Sequence, residues 1–335
     1  MLLAAILVVL LALAAFYLMR RRQPLRKTEA GTAPSLLMYL PPDSPVIAYV
    51  DVAALRKLSN SPLSAVLGLT TLGRGRDKDY VDFVRDTGFD YSRDLDQAAI
   101  ALWPTSLDPA ANAAGNNPAL AIANGRFDRA RIEAYAIGVG GKPEQQANGK
   151  LYVVPGKPTI AFQFLSPTRI AIASGNTSAD LLNLPSVVGK DSTMQARVGS
   201  VAGAPIFAVG RTKNLPSSFY SILGNSPRIE ALVRSIQEIS LAGQTDKDWI
   251  HVTVEGDCDT GRSAADISTV LIGFRFLGSL ALGDPEARRQ LGLTTSQVVF
   301  LRDVLKEAHV SHQDERVRVS FDLTPEMLGQ AHPAH

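Results

Sequence analysis

The chain has 335 residues, 46% hydrophobic and 20% charged, a balance that excludes global disorder and leaves room for about two domains. Its formal net charge of +2 is unevenly placed: Arg20, Arg21, Arg22, Arg26 and Lys27 sit together, and removing those five from the 34 basic residues leaves 29 against 32 acidic ones. That slightly acidic remainder lacks the basic stripe of a nucleic-acid binder. The one cysteine, Cys258, excludes an intramolecular disulfide and, so far from the N-terminus, lipoprotein acylation.

Residues 1–19 (MLLAAILVVLLALAAFYLM) carry no charge. As a helix they measure about 28 Å, close to the ~30 Å hydrocarbon thickness of a bilayer. Phe16 and Tyr17 stand near one end, where interfacial rings are common, and Arg20 to Arg22 stop the span. The segment reads as a single-pass membrane anchor. A cleaved signal peptide is the competing reading, because Ala12-Leu13-Ala14 has the A-x-A form; against it, no basic residue precedes the run and three arginines closely follow the cut. A buried soluble helix fits least, since nothing here is polar enough to face water. The basic flank lies on the C-terminal side, which under the positive-inside rule keeps the following domain in the cytoplasm.

Residues 20–35 form a basic, polar linker, and a first α+β lobe spans 36–184. Strand patterns fall at 46–50, 97–103, 119–123, 151–154, 159–165 and 169–173. Asp51 caps a helix holding Leu55, Leu63 and Val66, which Pro62 breaks or kinks. Tyr80, Phe83 and Val84 share a face of the next helix, and Asp128 caps one with Ile132, Tyr135 and Ala136. Thr177 to Asp180 has the spacing of a capping box. Residues 185–203 carry Gly, Ser and Pro without a firm period and read as an inter-lobe linker. The second lobe, 204–328, has strands at 206–209, 238–241 and 249–255 and a helical stretch at 215–236. A long apolar helix follows at 263–282, boxed by Ser263 and Asp266, and Thr294 and Gln297 open a further helix. A hairpin at 309–312 and 316–323 closes the lobe, with Val317, Val319, Phe321 and Leu323 alternating against polar neighbours. Residues 329–335 form a disordered tail.

The two series look alike. Pro45-Val46-Ile47-Ala48 matches Pro205-Ile206-Phe207-Ala208, and Gly125 to Asp128 matches Gly256 to Asp259 at a different offset. An internal duplication with an insertion is the reading, against the plain alternative that strand-to-helix turns choose Gly and Asp. The phrase from Tyr39 to Asp51 (YLPPDSPVIAYVD), with Gly88-Phe89-Asp90, Asp94-Leu95 and Gly125 to Asp128, resembles a group of bacterial membrane-tethered envelope proteins of unknown function. The resemblance implies an exported α+β protein and brings no catalytic residue with it.

No candidate site outweighs its plain structural reading. His309 and His312 would converge on a helix but lie on a strand, where positions three apart face opposite ways, and His332 and His335 fall in the tail. Cys258 sits between Asp257 and Asp259, whose charge opposes a thiolate, and His251 is seven residues upstream. Gly73-Arg74-Gly75-Arg76 lacks the ending of a phosphate loop, and Gly138 to Gly141 reads as a helix C-terminus. The acid pairs Asp94 with Asp96 and Asp77 with Asp79 lie where acids favour a helix start. Residues 267–282 (ISTVLIGFRFLGSLAL) read as a core helix whose Arg275 pairs or snorkels, or else as a surface for a lipid or partner helix.

The expected fold is α+β: an N-terminal transmembrane helix, then two similar lobes of mainly antiparallel sheet covered by helices. No catalytic, cofactor-binding or metal-binding residue is assigned. The expected function is a membrane-tethered non-enzymatic module, held by residues 1–19, that binds a protein or lipid partner or builds an envelope assembly, with no nucleic acid. The alternatives are an enzyme of hydrolase type with a scattered site, or a lipid or small-ligand carrier with an inter-lobe cleft. The family resemblance favours an extracytoplasmic domain at the inner membrane.

Overall fold

The computed structural model describes residues 35–41, 44–57, 78–103, 118–146, 149–156, 158–175, 178–182, 192–214, 227–246, 249–290, 295–324 and 326–327. The expected anchor, residues 20–34 of the linker, Pro62, Leu63, Val66, the glycine–arginine stretch 73–76 and the tail 329–335 lie outside them.

The first half runs β1 (Val46–Asp51), α1 (Val52–Arg56), α2 (Lys78–Thr87), α3 (Tyr91–Asp94), β2 (Leu95–Leu102), β3 (Ala119–Gly125), α4 (Arg129–Gly138), β4 (Lys142–Gln146), β5 (Gly149–Val154), β6 (Ile160–Ser166), β7 (Arg169–Ser174) and α5 (Ser178–Leu182). A 3-10 turn, Ser35–Tyr39, precedes it. Next come α6 (Ser192–Val201), β8 (Ile206–Arg211), α7 (Pro227–Arg234), β9 (Ile236–Asp246), β10 (Trp249–Cys258), α8 (Gly261–Gly283), α9 (Pro285–Gln290), α10 (Thr295–Glu307), β11 (His309–Gln313) and β12 (Arg316–Leu323).

Local chemistry explains many of these boundaries. Asp51 Oδ1 accepts from the Ala54 amide at 2.8 Å and Asp128 Oδ1 from the Arg131 amide at 3.1 Å, so each carboxylate satisfies an orphan donor of its helix. At the far end of α4 the Gly140 amide donates to Ile137 O and the Gly141 amide to Ala136 O. Gly140 has φ +91°, as this helix-ending motif requires.

The twelve strands among the described residues form one antiparallel sheet, ordered β11-β12-β10-β9-β8-β1-β2-β3-β7-β6-β5-β4. The expectation of a separate sheet per lobe is corrected: β1 pairs with β8 and joins the halves. Each half lays down three meandering strands and a helix, then returns with a hairpin whose last strand lies beside the third (β7 beside β3, β12 beside β10). The first half adds β4 and β5 at its edge. In the central pair Ala48 stands opposite Ala208. The Asp51 amide donates to Pro205 O at 2.7 Å, and the Arg211 amide donates to Pro45 O at 3.0 Å.

Further corrections follow from the packing. Residues 185–203 are not simply a linker, because α6 lies among them and buries Val198 and Val201. Ile236 starts a strand rather than ending a helix. Helix α8 starts at Gly261 with Thr260 as its cap, not Ser263 or Asp259. The match of Gly125 with Gly256 also shifts. The Gly125 amide donates to Thr168 O just before β7, and the Cys258 amide donates to Glu315 O just before β12, so Gly125 corresponds to Cys258. Strand β4, KPEQQ, is polar and proline-bearing, features of a protected sheet edge that no hydrophobic alternation announces.

Three cores result. On one face α8 and α10 cover β10 and β12, while α4 covers β3, β6 and β7 through Ile132, Ala136, Phe162 and Phe164. On the opposite face the 3-10 turn and α6 cover the sheet centre, through Leu36, Leu40, Val198, Tyr49 and Phe207.

Beside that central core Arg197 of α6 is buried, with Glu255 Oε2 at 3.4 Å and Asp257 Oδ2 at 3.0 Å. Arg318 and Arg316 on β12 pair with the same two acids. Burial pulls the Arg197 pKa down, offset by Asp257 and Glu255. Its Nε has no hydrogen-bond acceptor among the described residues, and Nη2 pairs with Asp257 Oδ2 without hydrogen-bond geometry. A half-satisfied buried charge adds little stability, while an orphaned one costs about 3–5 kcal/mol. Arg197→Met is therefore expected to leave urea-unfolding stability within about 1 kcal/mol of wild type. Glu255→Leu, which strips Arg197 and Arg318 of a shared partner, is expected to cost several-fold more. The reverse order in the two unfolding curves would refute this account.

Candidate functional site

The sequence left the apolar stretch 267–282 open between core and surface, and the structure divides it. The first three turns of α8 bury Ala264, Ile267, Ser268 and Leu271 against β10 and β12. Beyond Leu271 only Gly278 and Leu282 are buried. Ile272, Phe276, Leu277 and Leu280 stand 55%, 65%, 58% and 57% exposed. Positions 272, 276 and 280 recur at i, i+4 and i+8, so they stack along one side of the helix, with Gly273 and Leu277 beside them. Arg275 is half-buried and is the sole charged residue between Asp266 and Asp284.

Such a face is unusual. Isolated exposed apolar residues are ordinary, but a contiguous patch of roughly 400 Å² or more on a soluble chain marks an interaction surface. Helix α8 is also the one helix among the described residues long and apolar enough to cross a membrane, and just 22% of its most apolar window is buried.

Other constellations have structural explanations. His251 Nδ1 lies 2.6 Å from Asp322 Oδ1, but the two are directly opposite on β10 and β12 and stand about half exposed. His309 lies opposite Ser320 and His312 opposite Val317, so the two imidazoles take alternate faces of β11. No group of three or more metal-binding side chains occurs among the described residues. A cavity of about 510 Å³ between the 3-10 turn and the loop after α6 is lined by Tyr49, Asp51, Gln97, Gln244 and Thr245. Its carboxylate is engaged: Asp51 caps α1 and accepts from Gln97 Nε2 at 3.1 Å.

The acid pair Asp94 with Asp96 belongs to a tie between two turns. Asp94 Oδ2 accepts from the Asp90 amide at 3.0 Å, and the Arg126 amide donates to Asp94 O at 2.8 Å. The Arg126 side chain reaches Arg93 O, Asp94 and Asp96, and Phe89 stacks on Phe127 at 5.0 Å. A Cβ on Gly125 would collide with the Asp94 carbonyl, which explains the glycine. The Arg93 guanidinium hydrogen-bonded to Asp94 holds its carboxyl below the usual range, opposite to what a general acid needs. Of Asp77 and Asp79, the first lies outside the described residues and the second in α2.

No protein-family model matches the chain, and no curated protein does. Among solved structures, crystal form I of TP0453 is 10% identical, with 90% of this chain and 97% of that one covered and a TM-score of 0.44. Crystal form III of TP0453 is 11% identical, with 90% and 98% covered and a TM-score of 0.45.

Cys258 is buried, and burial pushes its thiol up to about 11, with Asp259 and Asp257 adding to the shift. A thiol reagent at pH 8 is expected to leave it unmodified until denaturant is added. Because the folded pKa lies above the ordinary thiol value of 9.0, the thiol's contribution to stability is complete below pH 9 and is lost as pH rises through about 11. Chemical denaturation of wild type and Cys258→Ala across pH 8–11 tests this: wild type should lose more stability than the variant. Rapid labelling of native protein at pH 8 would contradict the burial.

Proposed function

We propose that this chain is a membrane-tethered, non-enzymatic module, held by residues 1–19, that docks a protein or lipid partner through the exposed face of α8 in a bacterial envelope assembly. The observation that carries the reading is the row Ile272, Phe276, Leu277 and Leu280. Fully burying one such side chain is worth about 1.5–3 kcal/mol, so covering four supports a specific contact even after the costs of association. The uncharged run 1–19 followed by Arg20 to Arg22 supports the tether.

In the same reading the soluble part is two copies of one unit. The shared strand order supports this, and so does the centre of the sheet. Ala48 and Ala208, each third after its proline, face one another, and the bonds Asp51 to Pro205 and Arg211 to Pro45 are reciprocal. A two-fold axis relating two copies makes that pattern.

Full-length protein is expected to stay with membranes through plain buffer and high salt and to leave only with detergent. Release into plain buffer with an intact N-terminus would end the tethered reading. The domain is placed on the extracytoplasmic side, following the likeness to exported envelope proteins over the basic flank. Alkaline phosphatase fused after His335 should then be active. An inactive fusion, with an active cytoplasmic reporter at the same site, would reverse the orientation.

A further inference from the structure

We propose that the exposed face of α8 lies in the interfacial layer of the bilayer that holds residues 1–19, giving the chain a second, side-on membrane contact. This rests on the tethered reading and names the partner that α8 meets.

Three observations favour the bilayer. First, fifteen residues, 20–34, separate the apolar run from Ser35, at most about 50 Å of extended chain. A domain on so short a leash samples the membrane surface at high effective concentration. Second, the face has the shape of a surface-lying helix. From Thr269 to Gly283 it extends about 21 Å at the α-helical rise, and it is one helix wide, suited to sinking ~5–10 Å into the headgroup boundary. Its ionic groups stand at its ends, Arg262 and Asp266 at one and Asp284, Glu286, Arg288 and Arg289 at the other, apart from half-buried Arg275. Both signs are present in near balance, so apolar area rather than lipid charge drives the contact. Third, the face is too small for a stable self-pair. Four side chains exposed to this extent offer roughly 450 Å² per chain, or about 900 Å² in a symmetric pair, below the ~1,200 Å² at which specific interfaces begin.

The test uses full-length protein reconstituted into phosphatidylcholine liposomes. A nitroxide is placed at Phe276→Cys or Leu280→Cys in a Cys258→Ala background. The control label is at Ser311→Cys, an exposed position on β11. Power saturation compares collision with lipid-soluble oxygen and with an aqueous nickel chelate. The oxygen-to-nickel ratio is expected to be several-fold higher at 276 and 280 than at 311, and unchanged by phosphatidylglycerol. Equal ratios in protein that still resists washing overturn the side-on contact while leaving the tether intact. Loss of the protein on washing overturns both. A high ratio that needs anionic lipid overturns the neutral, apolar contact. Spectral broadening at 276 that disappears on dilution with unlabelled protein shows a second copy on the face and overturns the bilayer assignment.

Discussion

The pairing of β1 with β8 is the interaction on which the rest of the structure depends. It joins residues about 160 positions apart and turns two antiparallel groups of strands into one twelve-stranded sheet. Without it each half would present a bare backbone edge, the usual template for aggregation. The residues suit the task. Val46, Ala48 and Val50 alternate with Ile47 and Tyr49, so β1 has an apolar surface on both sides, and Tyr49 stacks on Phe207 at 5.2 Å across the seam. One face of the strand, Ile47 and Tyr49, is buried and the other partly so, which suits an inner position in the sheet rather than its rim.

The central seam also decides where helices are needed. One face at the centre is closed by the 3-10 turn and α6, while the two ends are closed on the other face by α4 and by α8 with α10. In the second half the side of β10 and β12 away from α8 carries charged ladders: buried Glu255 with Arg318, then Asp257 with Arg316 and His251 with Asp322. Those pairs make that sheet face largely polar apart from exposed Trp249, while the row of exposed apolar side chains at this end lies on α8.

The glycine- and aspartate-bearing phrases of the N-terminal half have a mechanical meaning. Gly88-Phe89-Asp90, Asp94-Leu95 and Gly125 to Asp128 are distant in sequence but meet in one tie, through the Phe89 and Phe127 rings, the Arg126 guanidinium and the Asp94 turn. The tie fixes the entry of β2 against the exit of β3, and thereby the launch of α4. Within these phrases Asp94 and Arg126 hold the two turns together, while Asp90 and Asp128 cap α3 and α4.

The sequence by itself determined the local structure. Periodicity and capping placed most strands, the Asp51 and Asp128 caps, the glycine-ended helix at 138–141 and the closing hairpin, because each depends on residues within a few positions of one another. It missed β4, which has no apolar alternation, and α6, whose register shows only once Val198 and Val201 have a sheet to meet. Tertiary structure alone decided the rest. Strand order and the merging of two expected sheets depend on pairings between distant segments, which no local pattern encodes. The face of α8 is the clearest case. From Ile267 to Leu282 its residues are apolar almost all round, so no periodicity separates an inward side from an outward one. Only the position of β10 and β12 beneath its first turns leaves Ile272, Phe276, Leu277 and Leu280 in the open.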